Sequence, residues 1–271
     1  MKKSRAAIVE LLHHAIQSEE CDTNLAAAEE LLRISNRADD HLLASTVLLD
    51  GGRAKLALET LENLELQDLD TEQRRLHALR TAEAWYVLGR SEKSIPILES
   101  IAPQNQQERA ELIWWSGLCY DHLGEDEKAD ALFREGSALD PDRLPPPTAI
   151  NTEEALLILE KLIAKFPKPL REAIDEIPII VEDLPSRESI RTSEGTLHPD
   201  TLGLYTGVSL SDRSHFSPYE FPSSIHIFRR NLERFSRDRG ELEEELRITL
   251  LHEIGHHLGL DEEDVDALGL H

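Results

Sequence analysis

Three glycines, Gly52, Gly89 and Gly124, punctuate the first half of the chain at intervals of 37 and 35 residues, and the segments between them carry helical rather than strand patterning. A breaker repeated at this spacing restricts a chain to short helices that turn back on one another, because a helix of that length gains its stability by laying an apolar face on a neighbour. The best-defined unit is IWWSGLCYDHLGEDEKADALFREGSALDP, from Ile113 to Pro141. Small residues at Gly117 and Ala129, aromatics at Tyr120 and Phe133, and breakers at Gly124 and Pro141 fall where two helices interlock and the next begins.

That unit closely resembles a tetratricopeptide repeat. Weaker copies surround Gly89 and Gly52, and a fainter pair occupies residues 4–34, so four helical pairs are expected to stack as a short solenoid. The resemblance implies a surface that recruits a protein partner or substrate, or a scaffold or dimerisation arm. Trp85, Trp114 and Trp115 read as helix–helix packing.

DPDRLPPPTAINTEE breaks the helical pattern. Pro145, Pro146 and Pro147 stiffen a connector, and Thr152 is the expected N-cap of a new helix, TEEALLILEKLIAKF. Two domains follow, a helical-repeat domain at 1–145 and a second at 146–271. In the second, Ile177–Pro185, Leu202–Leu210 and Ser223–Leu232 read as short strands from their aliphatic and β-branched content. SDRSHFSPYEFPS and RTSEGTLHPD read as surface loops, the former long enough to rim a site. The fold class expected is α+β overall, an all-α solenoid followed by a small α/β domain.

The chemistry concentrates at HEIGHHLGLDE, His252 to Glu262. Leu246, Ile248, Leu250, Leu251, Ile254 and Leu258 place the motif on an amphipathic helix, and Gly259 is its expected stop. Positions i and i+4 share a helix face, so His252 and His256 aim at a single ion, while Glu253, about 100° round, reaches a water beside it. A catalytic zinc takes three protein ligands and keeps a position open. Glu262 is the first candidate for the third, with Asp261, Asp264, Asp266 and His271 near enough to compete. His257 points away from His256 and is expected in solvent or in a supporting role. Gly255 suggests that another backbone packs closely against the helix. His198, His215 and His226 are isolated and read as structural, and Tyr205 and Tyr219 as packing residues. Two histidines and a carboxylate also suit iron(II), although the spacing favours zinc.

No methionine follows the motif, so the methionine turn of the metzincins is missing. From about residue 155 to 270 the chain instead resembles the bacterial minimal zincin metallopeptidase family, in the order VEDLP, LGLY, an aliphatic strand ending in RRN, and LHEIGHHLGL. The resemblance implies a reduced zincin fold with one Zn²⁺ per chain on His252, His256 and an acid after Gly259, and Glu253 as general base. In such folds an edge strand holds the peptide, a task open to Leu202–Leu210 or Ser223–Leu232.

With 53 acidic against 29 basic residues and a formal charge of −24, the chain is a poor nucleic-acid binder, and a charged partner is expected to be basic. Cys21 and Cys119, far apart, read as buried free thiols of a reducing compartment. No segment has a signal-peptide core or a membrane span, which predicts a cytoplasmic protein that does not engage the membrane. The function expected is a zinc metallopeptidase acting on peptide or protein substrates. The competing reading is a non-catalytic repeat scaffold with a structural or vestigial metal site.

Overall fold

The computed structural model describes every residue except 1–3, 19, 20, 176, 194, 209–222, 262, 263 and 266–271. The chain forms two compact units, Met1–Leu144 with Ser186–Pro199, and Pro145–Pro185 with Asp200–His271. The architecture is α+β, stacked helices followed by a small mixed sheet with helices.

In the first unit, eight helices follow one another: α1 (Arg5–Gln17), α2 (Leu25–Ile34), α3 (Ala38–Asp50), α4 (Ala54–Glu62), α5 (Thr71–Val87), α6 (Ser91–Ser100), α7 (Gln106–His122) and α8 (Asp126–Leu139). The three punctuating glycines sit between α3 and α4, α5 and α6, and α7 and α8, with φ of 73°, 68° and 78°. Only glycine adopts that conformation at no steric cost. The turns are copies of one another: the residue after each glycine returns its N–H five residues back, Arg53 to Leu48 O, Arg90 to Trp85 O and Glu125 to Tyr120 O. This is the six-to-one bond that closes a helix C-terminus. Within the last pair, a Cβ at Gly117 would lie 2.7 Å from Phe133, a buried ring that also packs on Trp114 at 4.8 Å between centroids. Trp115 stands edge-on to Tyr86 at 5.5 Å, and Cys21 and Cys119 are buried and unbridged.

The same unit includes α11 (Arg187–Thr192), from a stretch whose end was expected as a loop. Ile190 is fully buried there, 3.1 Å from where a Gly89 Cβ would stand, and Arg191 donates to Gly89 O and pairs with Glu92. A single apolar residue between Ser189 and Arg191 gave no periodicity to reveal this.

The second unit opens with a connector held by hydrogen bonds. Thr148 N–H donates to Glu233 O at 2.8 Å, Ile150 N–H donates to Glu233 Oε1 at 3.0 Å, and Arg229 bonds both Ile150 O and Glu233. Then come α9 (Thr152–Lys165) and α10 (Lys168–Ile174). Asn151, one residue earlier than expected, is the N-cap of α9: its side chain accepts from Glu154 N–H, and Glu154 reciprocates on Asn151 N–H.

The sheet has β1 (Ile179–Glu182), β2 (Gly203–Thr206) and β3 (Ser224–Phe228) in the order β1-β3-β2, with β1 parallel and β2 antiparallel to β3. The third strand stops four residues short of Leu232, because Arg229–Phe235 is a helix, α12. Finally α13 (Arg239–Leu258) lays Leu242, Leu246, Leu250 and Ile254 into a core shared with Ile225, Ile227 and Leu159. Among the described residues, no helix is long and apolar enough to cross a membrane.

Candidate functional site

Asp238 fixes the start of α13 by accepting from the N–H groups of Gly240 and Glu241. The Leu242, Leu246, Leu250, Ile254 stripe then sets the rotation of the helix. His252 and His256, off that stripe, remain half-buried, while Glu253 and His257, beside it, are 6% and 1% exposed. The helix ends at Gly259 with φ 94°, as its sequence position suggested, and Leu260 N–H returns to Gly255 O at 3.0 Å.

The two motif histidines converge. Their Nε2 atoms are 3.0 Å apart, and His256 Nδ1 is 3.2 Å from Leu260 O. With Nδ1–H donated to that carbonyl, His256 presents the lone pair of Nε2 toward His252, the tautomer a metal ligand needs. Two nitrogens each about 2.0–2.1 Å from one tetrahedral ion stand roughly 3.3 Å apart, a few tenths more than observed. The pair therefore fits zinc as two of its ligands.

The third donor is less defined. Among the described residues no group of three or more His, Cys, Asp or Glu side chains is placed to hold a metal. Glu262, Asp266 and His271 lie outside the described residues. Asp261 accepts from Asp264 N–H at 2.9 Å and so caps the turn at Asp264–Val265. That turn returns the chain to the motif helix, since Val265 is fully buried and lies 3.0 Å from where a Gly255 Cβ would be. Gly255 thus makes room for a side chain, Val265, rather than for a second backbone.

Glu253 faces the sheet. Phe228 N–H donates to Leu202 O, so even-numbered residues of β2 turn their backbone groups toward β3 and odd-numbered ones turn theirs to the free edge. Tyr205 N–H, at that edge, donates to Glu253 Oε2 at 2.6 Å. Gly203 is the strand's point of closest approach: a Cβ there would meet Thr249 at 2.6 Å and Glu253 Oε1 at 2.9 Å. Between the two strands that sequence offered as a peptide-binding edge, β3 is the central one and has both sides paired. Among the described residues β2 keeps an edge.

His257 is the residue that sequence reasoning undervalued. Of the two expectations, solvent or a supporting role, it takes the second: it is buried, with Nδ1 3.1 Å from the Tyr205 hydroxyl, which also donates to Val208 O and meets Ser223 Oγ at 3.0 Å. Its spacing from Glu253, i to i+4, was the available signal. Tyr205 is a packing and tethering residue, as expected. His226 pairs with Glu182 at 2.7 Å, His198 stands edge-on to Tyr86 in the helical unit, and His215 and Tyr219 lie outside the described residues.

Beside His252 and Glu253 a cavity of about 240 Å³ opens between the start of β2 and the middle of α13, lined by Leu202, Gly203, Phe235, Glu245, Ile248 and Thr249. A helix-borne pair of convergent histidines, an anchored carboxylate and an adjoining cavity are among the parts that hydrolysis at a metal centre requires, no third metal ligand being placed with them among the described residues. No curated protein matches the chain. Residues 174–270, which contain all three strands and the whole of α13, match the zincin-like metallopeptidase family.

Proposed function

We propose that the second unit is a zinc-dependent peptidase, in which His252, His256 and Glu262 hold one Zn²⁺ and Glu253 is the general base. The observation that carries the reading is the 3.0 Å approach of the two Nε2 atoms with His256 oriented by Leu260 O. Glu262 is preferred as third ligand because Asp261 is engaged in capping and the buried Val265 packs against the motif helix at Gly255. Zinc, when bound, supplies a Lewis acid that polarises the scissile carbonyl and makes a water acidic enough to be deprotonated near neutral pH. Glu253 Oε1 takes that proton and later delivers it to the departing amine, while Oε2 stays on Tyr205 N–H and fixes the carboxylate's position. The edge of β2 aligns the peptide beside the carboxylate as an added strand.

Residues 1–145, on this reading, are tetratricopeptide-type repeats that recruit a protein partner or substrate, and 146–271 the minimal zincin domain. The three superimposable glycine turns support the repeat assignment. The test pairs elemental analysis with turnover. Wild type should carry about one zinc per chain, His252→Ala none, and Glu253→Gln the full amount with turnover lower by about 10²-fold or more. Zinc retained by His252→Ala, or unchanged turnover in Glu253→Gln, rejects the assignment.

A further inference from the structure

The cavity beside Glu253 has a composition of its own. Leu202, Ile248 and the side chain of Phe235, a large aromatic left 60% exposed, give it apolar walls, and Glu245 is its one acidic group apart from Glu253. Its 240 Å³ is far more than the roughly 10–15 Å³ that admits a single water. Glu245 stands two helical turns before His252, about 10 Å along the axis. One backbone step of about 3.8 Å plus a four-carbon stem spans that distance.

Among the described residues, no hydrogen bond or ion pair engages the Glu245 carboxylate. The nearby base Arg247 is committed to Glu244 at 2.6 and 2.9 Å. Burial, followed by the like charges of Glu241 and Glu244, holds the Glu245 carboxyl above its usual range, an environment that an arriving cation relieves. An apolar side chain would bury that carboxylate without a partner, and an acidic one would repel it.

We propose that this cavity is a specificity pocket for a lysine or arginine side chain of the peptide, with its stem along Leu202, Ile248 and Phe235 and its cation on Glu245. The proposal rests on the peptidase reading above. Lysine and arginine are the side chains that combine a long apolar stem with a terminal cation. The surplus of acid over base across the whole chain steers basic peptides in the same direction.

The test uses the full-length zinc-loaded protein on peptides identical but for one residue, lysine, arginine, norleucine or glutamate, with binding of labelled peptides to Glu253→Gln measured in parallel. Basic peptides should be cleaved and bound about tenfold better than norleucine and better still than glutamate, the scale of one charge-assisted hydrogen bond. Glu245→Gln should level that preference, and Glu245→Lys should turn it toward glutamate. Peptides cleaved with no charge preference, or a preference that both Glu245 variants retain, overturn the pocket assignment and leave the peptidase reading standing. Failure of every peptide to be bound or cleaved overturns both.

Discussion

Glu253 and His257, one helical turn apart, grip the same strand residue at its two ends: Glu253 Oε2 takes the Tyr205 amide at 2.6 Å, and His257 Nδ1 meets the Tyr205 hydroxyl at 3.1 Å. The carboxylate is therefore positioned by a double clamp on β2, with Gly203 letting strand and helix close to contact. Preorganisation of this kind is what a proton-transferring group needs, because reorientation in the rate-limiting step costs barrier height.

Gly203→Ala should disturb that clamp directly. The added methyl meets Thr249 Cγ2 and Glu253 Oε1 inside van der Waals contact, so overpacking should cost about 1–3 kcal/mol. Chemical denaturation reads the stability loss, and on the proposed peptidase function turnover should fall while zinc content stays near wild type.

Tyr205→Phe removes the hydroxyl shared by His257, Ser223 and Val208 but leaves the backbone bond to Glu253. A loss of about 1–3 kcal/mol is expected from the disrupted buried hydrogen bonding, measured as a lower denaturation midpoint. Turnover should change far less than in Glu253→Gln.

In the helical unit, Gly117→Ala should cost about 1–3 kcal/mol by driving a methyl into Phe133. Adding Phe133→Leu, which frees space at the same point, should recover part of that loss. A double-mutant cycle measures the coupling, and additive losses would show that the two residues do not share a contact.

Asp40 supplies a pH-dependent element. Burial raises its carboxyl, but the hydrogen bonds from Arg5 and Ser35 outweigh burial and leave it below the usual carboxylate range. A depressed folded-state value means that its stabilisation is complete above the ordinary carboxylate range and is lost as pH falls through the folded value. Asp40→Asn should cost about 1–3 kcal/mol at neutral pH, and the gap to wild type should narrow in strong acid. Thermal melts across the acid range check both statements.

Local pattern carried much of this fold, and tertiary pairing the remainder. The motif helix was legible because Leu246, Leu250 and Ile254 keep helical spacing and Gly259 stops it. The three strands were legible in order but not in partnership, since β1 beside β3, with β2 on the far side, depends on contacts between segments far apart in sequence. The run SIHIFRRNL misled for a local reason: it contains no breaker, and Arg229, where strand gives way to helix, is held by Asp183 from outside the run and by Glu233 one turn further along α12. The spacing of His257 from Glu253 put the two on one face of the helix, but the partner of His257 is a hydroxyl on a strand, which spacing within one helix does not name.

The passage of Ser186–Pro199 into the helical unit bears on how this protein can be taken apart. A fragment beginning at the proline connector would carry α11 away from the neighbours of Ile190, leaving an aliphatic residue bare and a seam open along Gly89. The two halves are thus interleaved in the gene. A clean excision of the second unit requires a second cut and a short bridge from Pro185 to Asp200, and exchange of the halves by recombination at a single crossover would leave each with a damaged core.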